Sequence, residues 1–213
     1  MARLTRRLLL GALAGALPGA LAVPGLARAE EARLADHAIG SPEAPVTVLE
    51  FYSMTCPHCA RFARDIMPQI HSKLIETGKV RWIYRDYPLD QVALLAAQIA
   101  RSLPPERYEP FILSLLASQD RWAYATDVNP TDELRKRATL AGLSPAAFEK
   151  AANDTALRDA ILAGQAGAEK QWGVDSTPTF IISGPGAQGI KKSGELSFDD
   201  FAAVVKQAAG TAG

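Results

Sequence analysis

At 213 residues, with 48% hydrophobic and 22% charged side chains, the chain is long enough to bury a core without covalent staples and has the make-up of a globular protein. Its 23 basic and 23 acidic residues balance, but 4 of the basic ones fall in the first 29 residues, which hold no acid, and without them the net charge is near −4. That excludes the electrostatic footprint of a nucleic-acid-binding protein.

Met1 to Ala29 has the build of a secretory signal peptide. Arg3, Arg6 and Arg7 precede a stretch from Leu8 to Leu26 without charge, and Ala27-Arg28-Ala29 supplies the small-x-small pattern that places cleavage before Glu30. An uncleaved anchor is the alternative, since the uncharged run approaches membrane-spanning length, but its Ala and Gly content and Pro18 and Pro24 disfavour it. Thr5-Arg6-Arg7-Leu8-Leu9-Leu10 partly matches a twin-arginine export motif, which leaves the Sec and Tat routes both open.

Residues 30–44 read as a short polar N-terminal segment ending in Gly40-Ser41-Pro42. Val46 to Phe51 is β-branched and apolar, as in a strand covered on both faces. A helix is expected from about Pro57 to Ile75, with Pro57 at its first position, where a missing N–H costs nothing, and a kink at Pro68. Thr77-Gly78 ends it, and a second strand follows at Val80 to Tyr87. From Leu89 to Trp172 the pattern is helical throughout: Asp90–Leu103, Glu106–Ser118, Thr131–Ala141, Pro145–Asn153 and Thr155–Trp172. Strand character returns at Thr179–Ser183 and, after Gly184-Pro185-Gly186, around Ile190–Lys192; a last helix starts near Ser197. The order predicts an α/β core, residues 45–88 and 173–213, interrupted by a helical insertion at 89–172.

The only two cysteines stand three residues apart in Cys56-Pro57-His58-Cys59. A disulfide across so small a loop removes little unfolded-state entropy, which argues against a structural bridge. A tetrahedral zinc site needs two more ligands, and His37 and His71 are isolated in the sequence, so no metal is expected. A redox pair fits better. Cys56 falls at the N-cap of the predicted helix, where the N–H groups of His58 and Cys59 favour a thiolate, and a protonated His58 would add positive charge. Cys59, one turn further in, is placed to resolve a mixed disulfide. The Pro57-His58 dipeptide between them would set the poise: a stabilised thiolate stabilises the dithiol and makes the disulfide more oxidising. Glu50, an acid inside a strand expected to be buried, carries a desolvation cost unless paired or protonated, and Tyr84 and Arg85 of the second strand are its candidate partners.

The run Glu50-Phe51-Tyr52-Ser53-Met54-Thr55-Cys56-Pro57-His58-Cys59, with Thr177-Pro178-Thr179-Phe180 downstream, resembles the DsbA family of bacterial thiol:disulfide oxidoreductases over most of Pro45 to Gly210. The resemblance implies a thioredoxin fold with an inserted all-helical domain. It implies a cis-proline at Pro178 facing the active-site sulfurs, substrate pairing along Thr177, and Glu50 as the family's buried acid. Met54, Tyr52 and Phe180 become candidates for an apolar substrate rim, against core packing as the alternative, which suits Tyr52 and Phe180 better. The implied activity is donation of the Cys56–Cys59 disulfide to newly exported proteins in the periplasm by a monomer without cofactor, re-oxidised by a DsbB-like membrane partner. An isomerase or reductase using the same cysteines is the second reading. Isomerases of this superfamily are usually oligomers held by an extra N-terminal domain, for which the roughly fifteen residues between the cleavage site and the first strand leave no room. A peptide-binding chaperone module with an incidental disulfide is the third.

Overall fold

The computed structural model describes residues 35–210; the signal-peptide reading of Met1–Ala29 lies outside them. Five strands form one mixed sheet: β1 (His37–Ile39), β2 (Val46–Tyr52), β3 (Val80–Asp86), β4 (Thr179–Gly184) and β5 (Ala187–Ser193), in the spatial order β1-β3-β2-β4-β5. Only β2 and β3 run parallel, with Glu50 level with Tyr84; β4 crosses the insertion to lie antiparallel on the other side of β2, pairing Glu50 with Phe180. This is a thioredoxin fold carrying a helical insertion.

The two-residue period of β2 sorts its side chains onto two faces. Val46, Val48 and Tyr52 join the main core, whereas Leu49 and Phe51 join a smaller cluster on the opposite face. On the main face, Phe62 of α1 (Pro57–Asp65) lies 4.7 Å between ring centroids from Phe180, and Trp82 lies 5.5 Å from Phe201 of the last helix, α9 (Phe198–Ala208). These four rings bind strands β3 and β4 to the two helices that cover them.

Pro68 breaks its helix more completely than a kink. Proline lacks the N–H that would bond the carbonyl four residues back, and its ring crowds that carbonyl. The run therefore divides at Ile66 into α1, the short α2 (Met67–Ile70) and a π-helical turn, His71–Ile75. The polar segment before β2 also holds a strand the sequence did not suggest: β1 pairs antiparallel with β3, and three residues are too few for an alternating pattern to register. Gly40 turns the chain from β1 at φ +86°, where a Cβ would meet the Val80 carbonyl at 2.6 Å.

The insertion comprises α3 (Gln91–Arg101), α4 (Pro105–Leu116), α5 (Gln119–Trp122), α6 (Pro130–Leu140), α7 (Pro145–Ala152) and α8 (Thr155–Trp172). Asp90, Asn129, Ser144 and Asp154 cap α3, α6, α7 and α8 with side-chain oxygens on first-turn N–H groups. Helix α3 is its hub, with Leu94, Ala97, Ile99 and Ala100 all buried. The insertion is locked to the sheet by a buried polar cluster. Arg101 of α3 pairs with Asp86 at the end of β3; Tyr52 and Tyr108 donate to the same carboxylate at 3.3 and 3.4 Å, and His37 stacks flat on Tyr108 at 3.5 Å. Burial, with Arg101 nearby, pulls the His37 pKa down to about 4, so the imidazole is neutral at neutral pH. Among the described residues no helix is long and apolar enough to cross a membrane.

The aromatic cluster yields a direct test. Phe201→Ala empties a fully buried ring site at the junction of α9 and the sheet, and should cost about 3–5 kcal/mol of unfolding free energy, read as a lower urea midpoint at unchanged slope.

Candidate active site

Strand β2 delivers the chain to the site. Ser53 and Cys56 close a turn through a 3.1 Å bond from the Cys56 N–H to the Ser53 carbonyl, and Cys56 takes the N-cap of α1 in extended backbone geometry, with Pro57 at the first helical position. Both cysteines are free thiols, Cys56 3% and Cys59 0% exposed. Across from them, the cis Thr177–Pro178 peptide bond brings the Thr177 carbonyl to 3.3 Å from Cys56 Sγ, which donates to it in the thiol form.

The two sulfurs are electrostatically unequal. The Cys59 thiol donates to Cys56, the buried and otherwise unpartnered Thr177 hydroxyl faces the same sulfur, and the Cys59 and His58 N–H groups point at it; together they outweigh burial and bring Cys56 from an ordinary value of 9.0 down to about 5. Cys59 is pushed well up, first by burial and then by its bond to Cys56. At neutral pH the pair therefore holds one thiolate, on Cys56, and one thiol.

Glu50 lies 4% exposed beneath the pair, and burial lifts its pKa to about 8, against the opposing effect of a 3.0 Å bond from Trp82 Nε1. Its partner is thus Trp82, neither Tyr84, whose hydroxyl donates to Glu109 at 2.9 Å, nor Arg85, which pairs with Asp36 at 2.8 Å. The reason is the strand period: Trp82 is two residues from Tyr84 and shares its face, and its long indole reaches the carboxyl that lies level with Tyr84. Glu50 in turn raises Cys59.

His58 sits on the exposed side of α1. Its Nδ1 is 2.5 Å from Glu195 and 2.8 Å from Arg61, which itself holds both Glu195 oxygens at 2.7–3.2 Å. Glu195 follows β5 directly and is 137 residues from His58. No local pattern could have pointed to Glu195, whereas Arg61 stands three residues from His58 on α1, the spacing that brings helix side chains together. What the His58 residue gives Cys56 here is its backbone N–H. Met54, expected on an apolar rim, is instead 2% exposed within the core, as are Tyr52 and Phe180, because the turn after β2 tucks it under the insertion. The open surface beside the cysteines is a groove of about 410 Å³ between α1 and the insertion, lined by Pro57, Ala60, Arg61, Arg64, Leu116 and Tyr124. Among the described residues no group of three His, Cys, Asp or Glu side chains is placed to hold a metal ion.

A sheet of this order with an N-capping cysteine opposite a cis-proline defines a thioredoxin-fold dithiol site, and a family model described as "Thioredoxin" matches residues 33–207. The alpha-DsbA1 of Wolbachia pipientis, solved with two of its cysteines replaced by alanine, is 32% identical, superposes with a TM-score of 0.75, and the match covers 82% of this chain and 90% of that one. The chain belongs to the DsbA family. BdbD from Bacillus subtilis shares the fold at 19% identity, with a TM-score of 0.70 and coverage of 82% and 92%. A Rickettsia conorii protein provisionally named a protein-disulfide oxidoreductase is 27% identical over 174 residues, and this chain spans 60% of that relative's length.

Two pH dependences follow. Thiolate absorbance of the reduced protein should fall as pH is lowered through about 5, with no such step in the oxidised protein; the stability Cys56 lends the folded dithiol is full above about 9 and lost over the same descent to about 5. Glu50 has the opposite sign: its contribution is full below about 4.5 and lost as pH rises through about 8. Glu50→Gln should therefore match the wild type in urea midpoint at pH 4 and exceed it at pH 9.

Proposed function

We propose that the chain is a thiol:disulfide oxidoreductase that donates the Cys56–Cys59 disulfide to cysteine-containing proteins. The observation that carries this reading is the inequality of the two sulfurs, one held as a thiolate above about pH 5 and the other kept a thiol. A client thiolate attacks Cys56 Sγ of the disulfide; the Cys56–Cys59 bond breaks and Cys59 leaves with the electron pair, taking up a proton. Glu50, protonated at neutral pH by its raised pKa and close enough to act on Cys59 through its field, is the buried acid suited to supply that proton. A second client thiolate then attacks the client sulfur of the mixed disulfide, and Cys56 leaves as the stabilised thiolate. The client loses two electrons and the protein gains them.

Low basicity makes Cys56 the good leaving group in that second step, so the balance lies toward donation. Thr177 and Pro178, which border the sulfur, are the residues against which an extended client segment would lie. The periplasm is the compartment implied by the export signal read in Met1–Ala29, a DsbB-like membrane oxidase is the partner proposed to restore the disulfide, and the working form is proposed to be a monomer.

Equilibration of the pair in glutathione buffers should give a reduction potential clearly above that of the glutathione pool, each tenfold in the equilibrium constant being about 30 mV. A value near thioredoxin's, roughly −270 mV, would assign the site to a reductant instead. Cys59→Ser should accumulate a mixed disulfide with a disulfide-bonded client, its Cys56 thiolate attacking the client disulfide and the other client sulfur leaving as a thiol, and Cys56→Ser should form none. A Cys56→Ser, Cys59→Ser double variant that still acted on clients would favour the chaperone reading.

A further inference from the structure

A sulfur at a helix N-cap feels the first N–H groups only while the preceding turn aims it at them, since the interaction fades within a turn. Within that turn, the Cys56 N–H bonds the Ser53 carbonyl at 3.1 Å and the Thr55 N–H reaches the Ser53 hydroxyl at 3.4 Å. The carbonyls of Met54, Thr55 and Cys56 are all held by one stretch of the helical insertion, and that of Cys56 also accepts from the Ala60 N–H of α1 at 3.1 Å. Gln119 Nε2 donates to Met54 O and Cys56 O at 2.9 Å each, and the Tyr124 hydroxyl donates to Thr55 O between them.

The arrangement is closely fitted. Gln119 is 6% exposed, an amide buried in the insertion at the start of α5, and both hydrogens of its NH2 group are used on carbonyls two residues apart. Tyr124 is 52% exposed and tied back to Gln119 through its own N–H at 3.2 Å. The Thr55 hydroxyl is bound at 2.7 Å to Asp90, the cap of α3. The polar groups of the turn thus face the insertion, while the thiol it presents faces Thr177.

We propose that Gln119 and Tyr124 are positioning residues, a clamp through which the helical insertion aims Cys56 Sγ at the N-terminus of α1 and so sets its reactivity. The proposal rests on Cys56 being the exchanging sulfur, but assigns its control to side chains that bond the carbonyls of the turn and not the sulfur itself. It also gives the insertion a part in the chemistry beyond covering the site. A primary amide is required at position 119: methionine keeps the bulk without donors, glutamate opposes acceptors to acceptors, and asparagine is one methylene too short to span both carbonyls.

The test is the thiolate titration of reduced Gln119→Met and Tyr124→Phe, followed by absorbance, together with the pH-dependent rate of Cys56 alkylation. Ile112→Val, which trims a buried side chain of α4 with no bond to the turn, controls for lost stability. Gln119→Met should lower the thiolate fraction near the midpoint, with the Cys56 equilibrium shifted about two- to fivefold toward thiol, Tyr124→Phe should shift it less in the same direction, and Ile112→Val should titrate as wild type. Variants at 119 and 124 that both titrate as wild type overturn the clamp, whatever their stability. If Gln119→Met does not fold, the half-exposed Tyr124→Phe decides alone. A wild type that forms mixed disulfides through Cys56 while neither variant shifts removes the clamp and leaves the proposed function standing; a wild type with no thiolate step overturns both.

Discussion

A thiolate survives in this protein because one sulfur, in a site that is otherwise nearly closed, is met by the Cys59 thiol, the Thr177 hydroxyl and the open end of a helix. Burial alone would raise Cys56, as it raises Cys59 three residues later. The difference between them is made first by the bond the Cys59 thiol donates to Cys56, then by the Thr177 hydroxyl and by position: Cys56 lies ahead of the first turn, where N–H groups have no carbonyl to bond, whereas Cys59 lies inside it. Every neighbouring element serves that placement. Strand β2 brings the chain to the turn, β4 begins at the Thr177–Pro178 bond that faces it, and the insertion grips the carbonyls leading into it.

The sheet supplies the second half of the chemistry. Because β2 alternates, the face that packs Val46 and Val48 against the helices also carries Glu50 into the core. A carboxyl there is disfavoured as an anion, and one hydrogen bond from Trp82 does not reverse that. The buried acid and the exposed ion cluster of His58, Arg61 and Glu195 thus stand on opposite sides of the dithiol, the first in the dry interior and the second at the surface, where the pairing of β5's end with α1 is screened by water.

Much of the architecture could be read from local pattern. The β-branched runs at β2 and β3, the caps ahead of α3, α6, α7 and α8, and proline at the start of α1 all act within a few residues. Failures occurred where the signal was short or distant. Helix α5 and strand β1, of four and three residues, hold their shape through tertiary contacts. Met54 looked like a rim residue because it borders the motif, and only the insertion packed above it makes it core.

By itself the sequence determined the dithiol and its order: Cys56 ahead of a helix, Cys59 within it, an acid in the preceding strand and a Thr-Pro far downstream. Those follow from spacing and from helix and strand periods, which are properties of the chain over one or two turns. Only the tertiary structure decided which groups meet the sulfur and its turn. Thr177 is 121 residues from Cys56, and Gln119 is 65 from Met54 and 63 from Cys56. Such contacts depend on how the insertion and the β4–β5 hairpin close over the sheet, and hydrogen bonds that form only at that closure leave no periodicity behind to be read.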